Sequence, residues 1–385
     1  MTRTPAPATA DVVVLGGGII GLATAYELAR AGVGRVVLCE SDALGSGSTS
    51  KAAGGVRAMF SDETNILLGA RSLETFADFP SRFGQEIDLH RVGYLFLLDD
   101  PEDVADFERS IALQNSLGVP SRMVSPAQAG ALTPYFSTEG VLAGAYSPTD
   151  GHCTPESVVL GYAGAARRAG VQVLTGCAVT SAEVVDGAVR AVLTQAGRIE
   201  TDTVVLATGA WTGVVGELFG VELPVQPLRR QILVTEPVPG LPTHSPMTID
   251  FSTTFYAHRE GLGLLLGMSD PEESFGFKLD RDDAWLGALA EVVQLRAPGL
   301  REVGLASGWA GLYEVTPDHN GLVGTVPGVE GLWVCAGFSG HGFLMGPALG
   351  ECMAALITGR RPPLDVSALD LRRFAEATVP EKNIV

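Results

Sequence analysis

The stretch DVVVLGGGIIGLATAYELARAGVGRVVLCESD, residues 11–42, reads as a strand, a tight turn, a helix and a second strand. Residues 12–15 form an unbroken apolar run, as a strand covered on both faces requires. Gly16, Gly18 and Gly21 form G-x-G-x-x-G, and the helix formers that follow run to residue 31 without a proline. Gly16 permits the tight turn, Gly18 lets backbone approach a pyrophosphate, and Gly21 lets the helix lie close on the strand. The helix start, with Ile19 and Ile20, turns free N–H groups and a positive dipole end toward the phosphates. Glu40 closes the second strand 19 residues after Gly21, placed for ribose hydroxyls. Its charge repels a 2′-phosphate, so the ADP-ribose of NAD or FAD fits and that of NADP does not.

Working outward, 385 residues exceed one typical core, so two domains are expected. Hydrophobic residues make up 46% and charged residues 18%, as in a well-buried α/β enzyme. A net charge of −18 argues against nucleic acid and against anionic lipid as partners. The five cysteines are odd in number and include no C-x-x-C, which reads as free thiols in a reducing compartment with no metal-site spacing. MTRTPAPATA, residues 1–10, reads as a frayed tail of a cytosolic protein, because Asp11 and three glycines interrupt the apolar run a secretory leader needs. No segment reaches the roughly 18–20 unbroken apolar residues of a membrane span.

Further along, residues 45–60 form a Gly/Ser loop, and residues 62–84 read as helical. Residues 154–187 read as helix, strand, strand, with Thr154 as N-cap and Pro155 in the first turn. Residues 201–213 and 331–337 each run a buried strand into a glycine turn, and residues 223–315 are rich in alternating strands. Strand-to-glycine turns therefore recur near residues 15, 208 and 337. A nicotinamide domain is usually one contiguous block. Separated segments around a β-rich insertion point to FAD. The expected fold is α/β: a discontinuous Rossmann-like FAD-binding domain (1–84, 145–222, 316–373), a β-rich substrate-binding domain (85–144, 223–315), and a C-terminal tail (374–385).

Five stretches carry a resemblance over about residues 10–360: VVVLGGGIIGLATAYELA (12–29), STSKAAGGVRAMF (48–60), ATGAWT (207–212), GWAGLYEVTPDHNGLVG (308–324) and GFSGHGF (337–343). Together they resemble the D-amino-acid-oxidase-like superfamily of FAD oxidoreductases. The branch is that of sarcosine oxidase, glycine oxidase, dimethylglycine dehydrogenase and L-proline dehydrogenase β subunits. The resemblance implies cofactor contacts at Ser41, Ser48, Thr49, Ser50, Lys51 and Ala52 in the early loops, and at Val179. It implies more at Ala207, Thr208, Gly209 and Trp211, then at Gly311 and Gly337. Gly340, His341, Gly342 and Phe343 would lie beside the flavin, where a helix start favours the anionic reduced ring.

Departures from the family pattern shape the rest. Gly311, two residues before Tyr313, stands where covalent sarcosine oxidases carry the flavin-linking cysteine, and Lys51 stands near the linking histidine of other relatives. Non-covalent FAD is expected. Leu265, in GLLLG (263–267), matches an oxygen-activating lysine, which favours a dehydrogenase over an oxidase. Arg57 would hold a substrate carboxylate, while Leu344 replaces a second cation, which suits a bulkier or cyclic amino acid such as proline, or an amine with no carboxylate. Tyr256 is placed at the substrate edge, with His258 a weaker candidate, and His341 orients or polarises near the flavin. Asp318 and His319 are read as structural.

The implied reaction is hydride transfer from a small amine or amino acid to flavin, giving an imine. The electron acceptor, oxygen or another, stays open, as does a homo- or hetero-oligomeric state. Two alternatives stand beside it: oxidation of a 2-hydroxy acid on the same scaffold, and a flavin-carrying subunit of a larger dehydrogenase. A pure NAD dehydrogenase leaves GFSGHGF unexplained.

Overall fold

The computed structural model describes residues 5–375 and 378–384. Its first layer is a six-stranded sheet in the order 322–325, 332–336, 204–206, 12–15, 36–39, 172–174. Its strands run parallel except 322–325, which pairs antiparallel with 332–336 at the edge. The opening strand Val12–Leu15 is buried throughout and pairs on both sides, which explains its lack of polar alternation. The helix Ile19–Arg30 packs against the long helix Gly342–Ile357, and a Cβ on Gly350 would stand 2.7 Å from the Ala23 carbonyl carbon. The two Gly-rich turns, distant in sequence, are thereby brought side by side. Pro155 does open the helix Pro155–Arg168, but Thr154 at its N-cap makes no side-chain capping bond.

The second large layer is an eight-stranded sheet in the order 305–315, 226–235, 263–267, 256–260, 247–250, 94–98, 143–147, 122–124. All its pairs are antiparallel except 247–250 with 94–98. Both faces are covered. Leu95 and Leu97 enter one core beneath the helix Leu286–Arg296, while Tyr94, Phe96 and Leu98 enter another with Phe107 and Ile111 of the helix Pro101–Ser116. Strand Ala143–Ser147 belongs wholly to this sheet, so the boundary expected between residues 144 and 145 cuts through a strand and is corrected to follow it.

Antiparallel strands Val179–Val185, Ala188–Thr194 and Gly197–Glu200 form a third sheet. The frayed start needs correction too. Residues 1–4 lie outside the described residues, but Ala6 N–H donates to Ala196 at 3.0 Å and Ala10 N–H to Glu200 at 2.9 Å, so the segment is held against this sheet. Of the expected tail, residues 376–377 and 385 lie outside the described residues, whereas Glu381 and Asn383 are buried. Among the described residues no helix is long and apolar enough to cross a membrane.

Candidate active site

A cavity of about 600 Å³ runs between the six-stranded and eight-stranded sheets. At one end stands the first glycine turn. Gly16 takes φ 106°, and a Cβ there would sit 2.2 Å from the Ala207 carbonyl oxygen, while one on Gly21 would sit 1.9 Å from the Gly16 oxygen. The turn, the helix and the strand ending at Leu206 are thus locked together by bare backbone. Glu40 is held by the same turn: one carboxylate oxygen accepts from Gly17 N–H at 2.7 Å, the other from Asp42 N–H at 2.9 Å and the Ser41 hydroxyl at 3.0 Å. Thr49 Oγ1 accepts from Ile19 N–H at 3.2 Å in the first helical turn.

Most of the expected cofactor contacts line this cavity. Gly18, Ile19, Ile20 and Ser41 do so at the dinucleotide end, with Val179, Ala207, Thr208, Gly209 and Trp211 on a neighbouring wall. Ser48, Lys51 and Ala52 lie further in, opposite Gly311, Gly340, Gly342 and Phe343. Three do not reach the lining. Gly21 is under the helix, Ser50 packs toward Gly45, and Gly337 acts one layer behind by donating its N–H to Glu314 at 3.0 Å.

At the centre, the Gly311 Cβ position would lie 2.6 Å from Lys51 Cβ, so the two family attachment positions face each other and neither offers a thiol or imidazole. The Ser48 hydroxyl donates to the Leu312 carbonyl at 2.7 Å, and Trp309 Nε1 to that of Lys51 at 3.0 Å, fastening the early loop to the long strand Leu305–Val315. Glu314, which sequence reading did not single out, is buried in the cavity wall, and burial pushes its carboxyl up to about 7. It accepts from the loop that carries His341. The signal was available: a lone acid between apolar residues of a buried strand needs a partner.

His341 lies in the wall, 3% exposed, beside the rings of Phe60 and Phe338. Among the described residues neither ring nitrogen has a hydrogen-bond partner. Burial drives its pKa down to about 3, with Arg57 adding to that and Glu381 opposing it, so the imidazole is neutral at ordinary pH.

At the far end, Tyr256, Tyr94 and Tyr313 converge with Arg57, Arg230, Leu344 and Ile384. Burial raises the pKa of all three tyrosines, so their hydroxyls stay protonated. Tyr94, Tyr313, Arg230 and Ile384 were not singled out in the sequence, because they come from strands and a tail whose neighbours only the fold supplies. Arg57 is present but engaged: its terminal nitrogens donate to the carbonyls of Met59 and Asn383, the latter at 2.6 Å. His258 is outside the cavity, with ring nitrogens 2.8 Å from the Ala53 and Arg259 carbonyls and its ring stacked on His152. Leu265 is likewise outside, buried opposite Val234 and His258 on neighbouring strands, and the cation in the wall near Gly311 is Lys51. Asp318 pairs with Arg373 at 2.8 Å, away from the cavity lining.

The residues present fit a dinucleotide with a flat ring: a glycine cradle, an acid held in fixed orientation at the end of the second strand, and, further along the cavity wall, a buried imidazole whose polar atoms are unused among the described residues. Comparison with known proteins gives the same picture. Sarcosine dehydrogenase of Mus musculus, mitochondrial, is 31% identical over 96% of this chain but only 42% of its own length. Dimethylglycine dehydrogenase of Rattus norvegicus, mitochondrial, is 29% identical over 97% of this chain and 46% of its own. The chain thus spans less than half the length of these relatives. The crystal structure of L-proline dehydrogenase from P. horikoshii superposes with a TM-score of 0.91 at 32% identity, covering 97% of this chain and 100% of that one. A family model described as DAO, FAD dependent oxidoreductase, matches residues 11–356. With the cradle, the acid and the late glycine loop all inside that match, the chain belongs to the DAO family of FAD-dependent oxidoreductases.

Proposed function

We propose that this chain oxidises the C–N bond of a small amino acid or secondary amine, of the sarcosine, proline or glycine kind, to an imine. The observation that carries this reading is the compartment beyond the cofactor cradle, walled by Tyr94, Tyr256 and Tyr313 with Arg230 among them. Its walls are largely aromatic, and the charged side chains among them are the arginines. Bound FAD would supply the two-electron acceptor, taking the Cα–H as hydride while the nitrogen lone pair forms the C=N bond.

The protein's part is position, dryness and electrostatics. The aromatic walls exclude water. The tyrosine hydroxyls, held protonated, offer hydrogen bonds and carry no charge. Neutral His341 can donate at one nitrogen and accept at the other, orienting the amine or the ring beside it. Its depressed pKa makes it a poor proton acceptor, so the amine is expected to react in its deprotonated form. The relatives' names divide between mitochondrial and unassigned settings. All five cysteines are buried and, among the described residues, none is joined in a disulfide, which supports a reducing compartment that we take to be the cytosol.

The test is anaerobic bleaching of the bound flavin by sarcosine, dimethylglycine, glycine, L- and D-proline and 2-hydroxy acids. Bleaching by an amine supports the reading. Bleaching by a hydroxy acid alone replaces it with C–OH oxidation.

A further inference from the structure

Three cations reach the cavity wall, and they are not equivalent. Lys51 is exposed, its stem packed against Gly311. Arg57 is 6% exposed, and its guanidinium lies 4.0 Å from the Phe60 ring centroid and 5.6 Å from that of Phe96. Two of its five N–H donors are already committed to carbonyls, one of them holding Asn383 in place, so a carboxylate there would have to share the guanidinium with the wall segment. Arg230 differs. Its neighbour Arg229 points to the opposite face of the strand and pairs with Glu273 at 2.6 Å and Asp282 at 3.1 Å. Arg230 points to the cavity, 5.1 Å from the Tyr313 ring centroid. Among the described residues its guanidinium makes one hydrogen bond, to the Arg229 carbonyl at 3.1 Å, its buried Nε has no partner, and no carboxylate pairs with it.

The segment that occupies Arg57 is itself built in. The Glu381 carboxylate accepts from Ser61 N–H at 2.9 Å, the Ser61 hydroxyl at 2.6 Å, Asn65 Nδ2 at 3.2 Å and Asn383 N–H at 2.8 Å. Lys382 reaches Asp106 at 2.8 Å, and Ile384 enters the cavity wall.

We propose that Arg230, not Arg57, receives the carboxylate of the substrate, and that Arg57 clasps residues 381–384 as a wall of the compartment. The proposal rests on the amine-oxidation reading for its substrate class and adds which residue selects carboxylated amines. A carboxylate on Arg230 would stand among the hydroxyls of Tyr256 and Tyr313 and satisfy the buried Nε.

The test uses the FAD-loaded protein and cyclopentanecarboxylate, which has the ring and carboxylate of proline but no amine to oxidise. Binding is read from the perturbed flavin absorbance. Arg230→Gln is expected to raise Kd at least 100-fold, with Arg230→Lys intermediate because it keeps charge and loses the fork. Arg57→Gln is expected to raise Kd less than tenfold while speeding proteolytic cleavage within residues 378–384. If Arg57→Gln weakens binding as much as Arg230→Gln, or if neither substitution weakens it, the proposal is overturned. Should the Gln variant lose flavin, Arg230→Lys decides: an unchanged Kd overturns the assignment. Because this ligand is never oxidised, failure of amines to bleach the flavin would count against the proposed reaction and leave the carboxylate result readable.

Discussion

Glu314 shows how one side chain can set a pH dependence. Its folded pKa of about 7 stands above its ordinary 4.5, so between those values the folded state keeps a proton that the unfolded chain has released. Stability from this group is therefore full below about pH 4.5 and lost as pH rises through 7. Glu314→Gln should gain on the native protein across that window, by about 3 kcal/mol at most, and urea unfolding at pH 4.5, 6 and 8 measures it. A flat difference would mean Glu314 stays ionised in the fold. His341 has the opposite bias, being neutral well below its ordinary range. His341→Ala should slow anaerobic flavin reduction by about 10- to 100-fold without shifting the pH profile between 6 and 8. A profile that moves would identify it as the titrating base. Lys51 packs beside Gly311 as a cation in the cavity wall; if oxygen takes electrons there, Lys51→Met should slow return of colour in air about tenfold or more. An unchanged rate would place oxygen elsewhere. These residues were unequally legible. Glycines and Glu40 announce themselves by spacing, whereas Arg57 was visible as a cation but its engagement by Asn383, 326 positions away, was not.

At the level of elements, the apolar runs at 12–15, 204–206 and 332–336 were readable because strands buried on both faces have no polar alternation to hide them. Which sheet a strand joins was less readable. Strand Ala143–Ser147 has nothing in its own residues that says it must pair with Tyr94–Leu98, and Leu265 looked like a cavity residue only while GLLLG was matched as an isolated string. Close helix contact is written in glycine, so Gly350→Leu should push Gly342–Ile357 away from Ala23 and loosen the flavin, lowering Tm and raising the FAD Kd together. A drop in Tm with no change in Kd would uncouple the helix from the site. The Asp318–Arg373 pair ties the turn after Leu305–Val315 to residues 371–375. It is nearly fully buried at Asp318, so Asp318→Asn should cost on the order of 3 kcal/mol, seen in the urea midpoint, with little effect on flavin spectra.

For the whole molecule, the cavity between two sheets follows from separated glycine turns converging on one edge, and that convergence was legible as a discontinuous domain. Non-covalent attachment is expected to put the yellow colour in the supernatant after acid precipitation, since a Gly311 facing Lys51 offers no thiol. Colour in the pellet would refute it. The distances along the chain have a further meaning. The cradle needs residues 16–57, the strand end near 207, Gly311–Glu314 and the loop at 340–343 at once, and Ser48 reaches its partner across 264 positions. A ribosome must therefore have made nearly all of these segments before any of them can grip the coenzyme. Capture of FAD becomes a late event in biogenesis, a checkpoint that only a chain with every segment in place can pass.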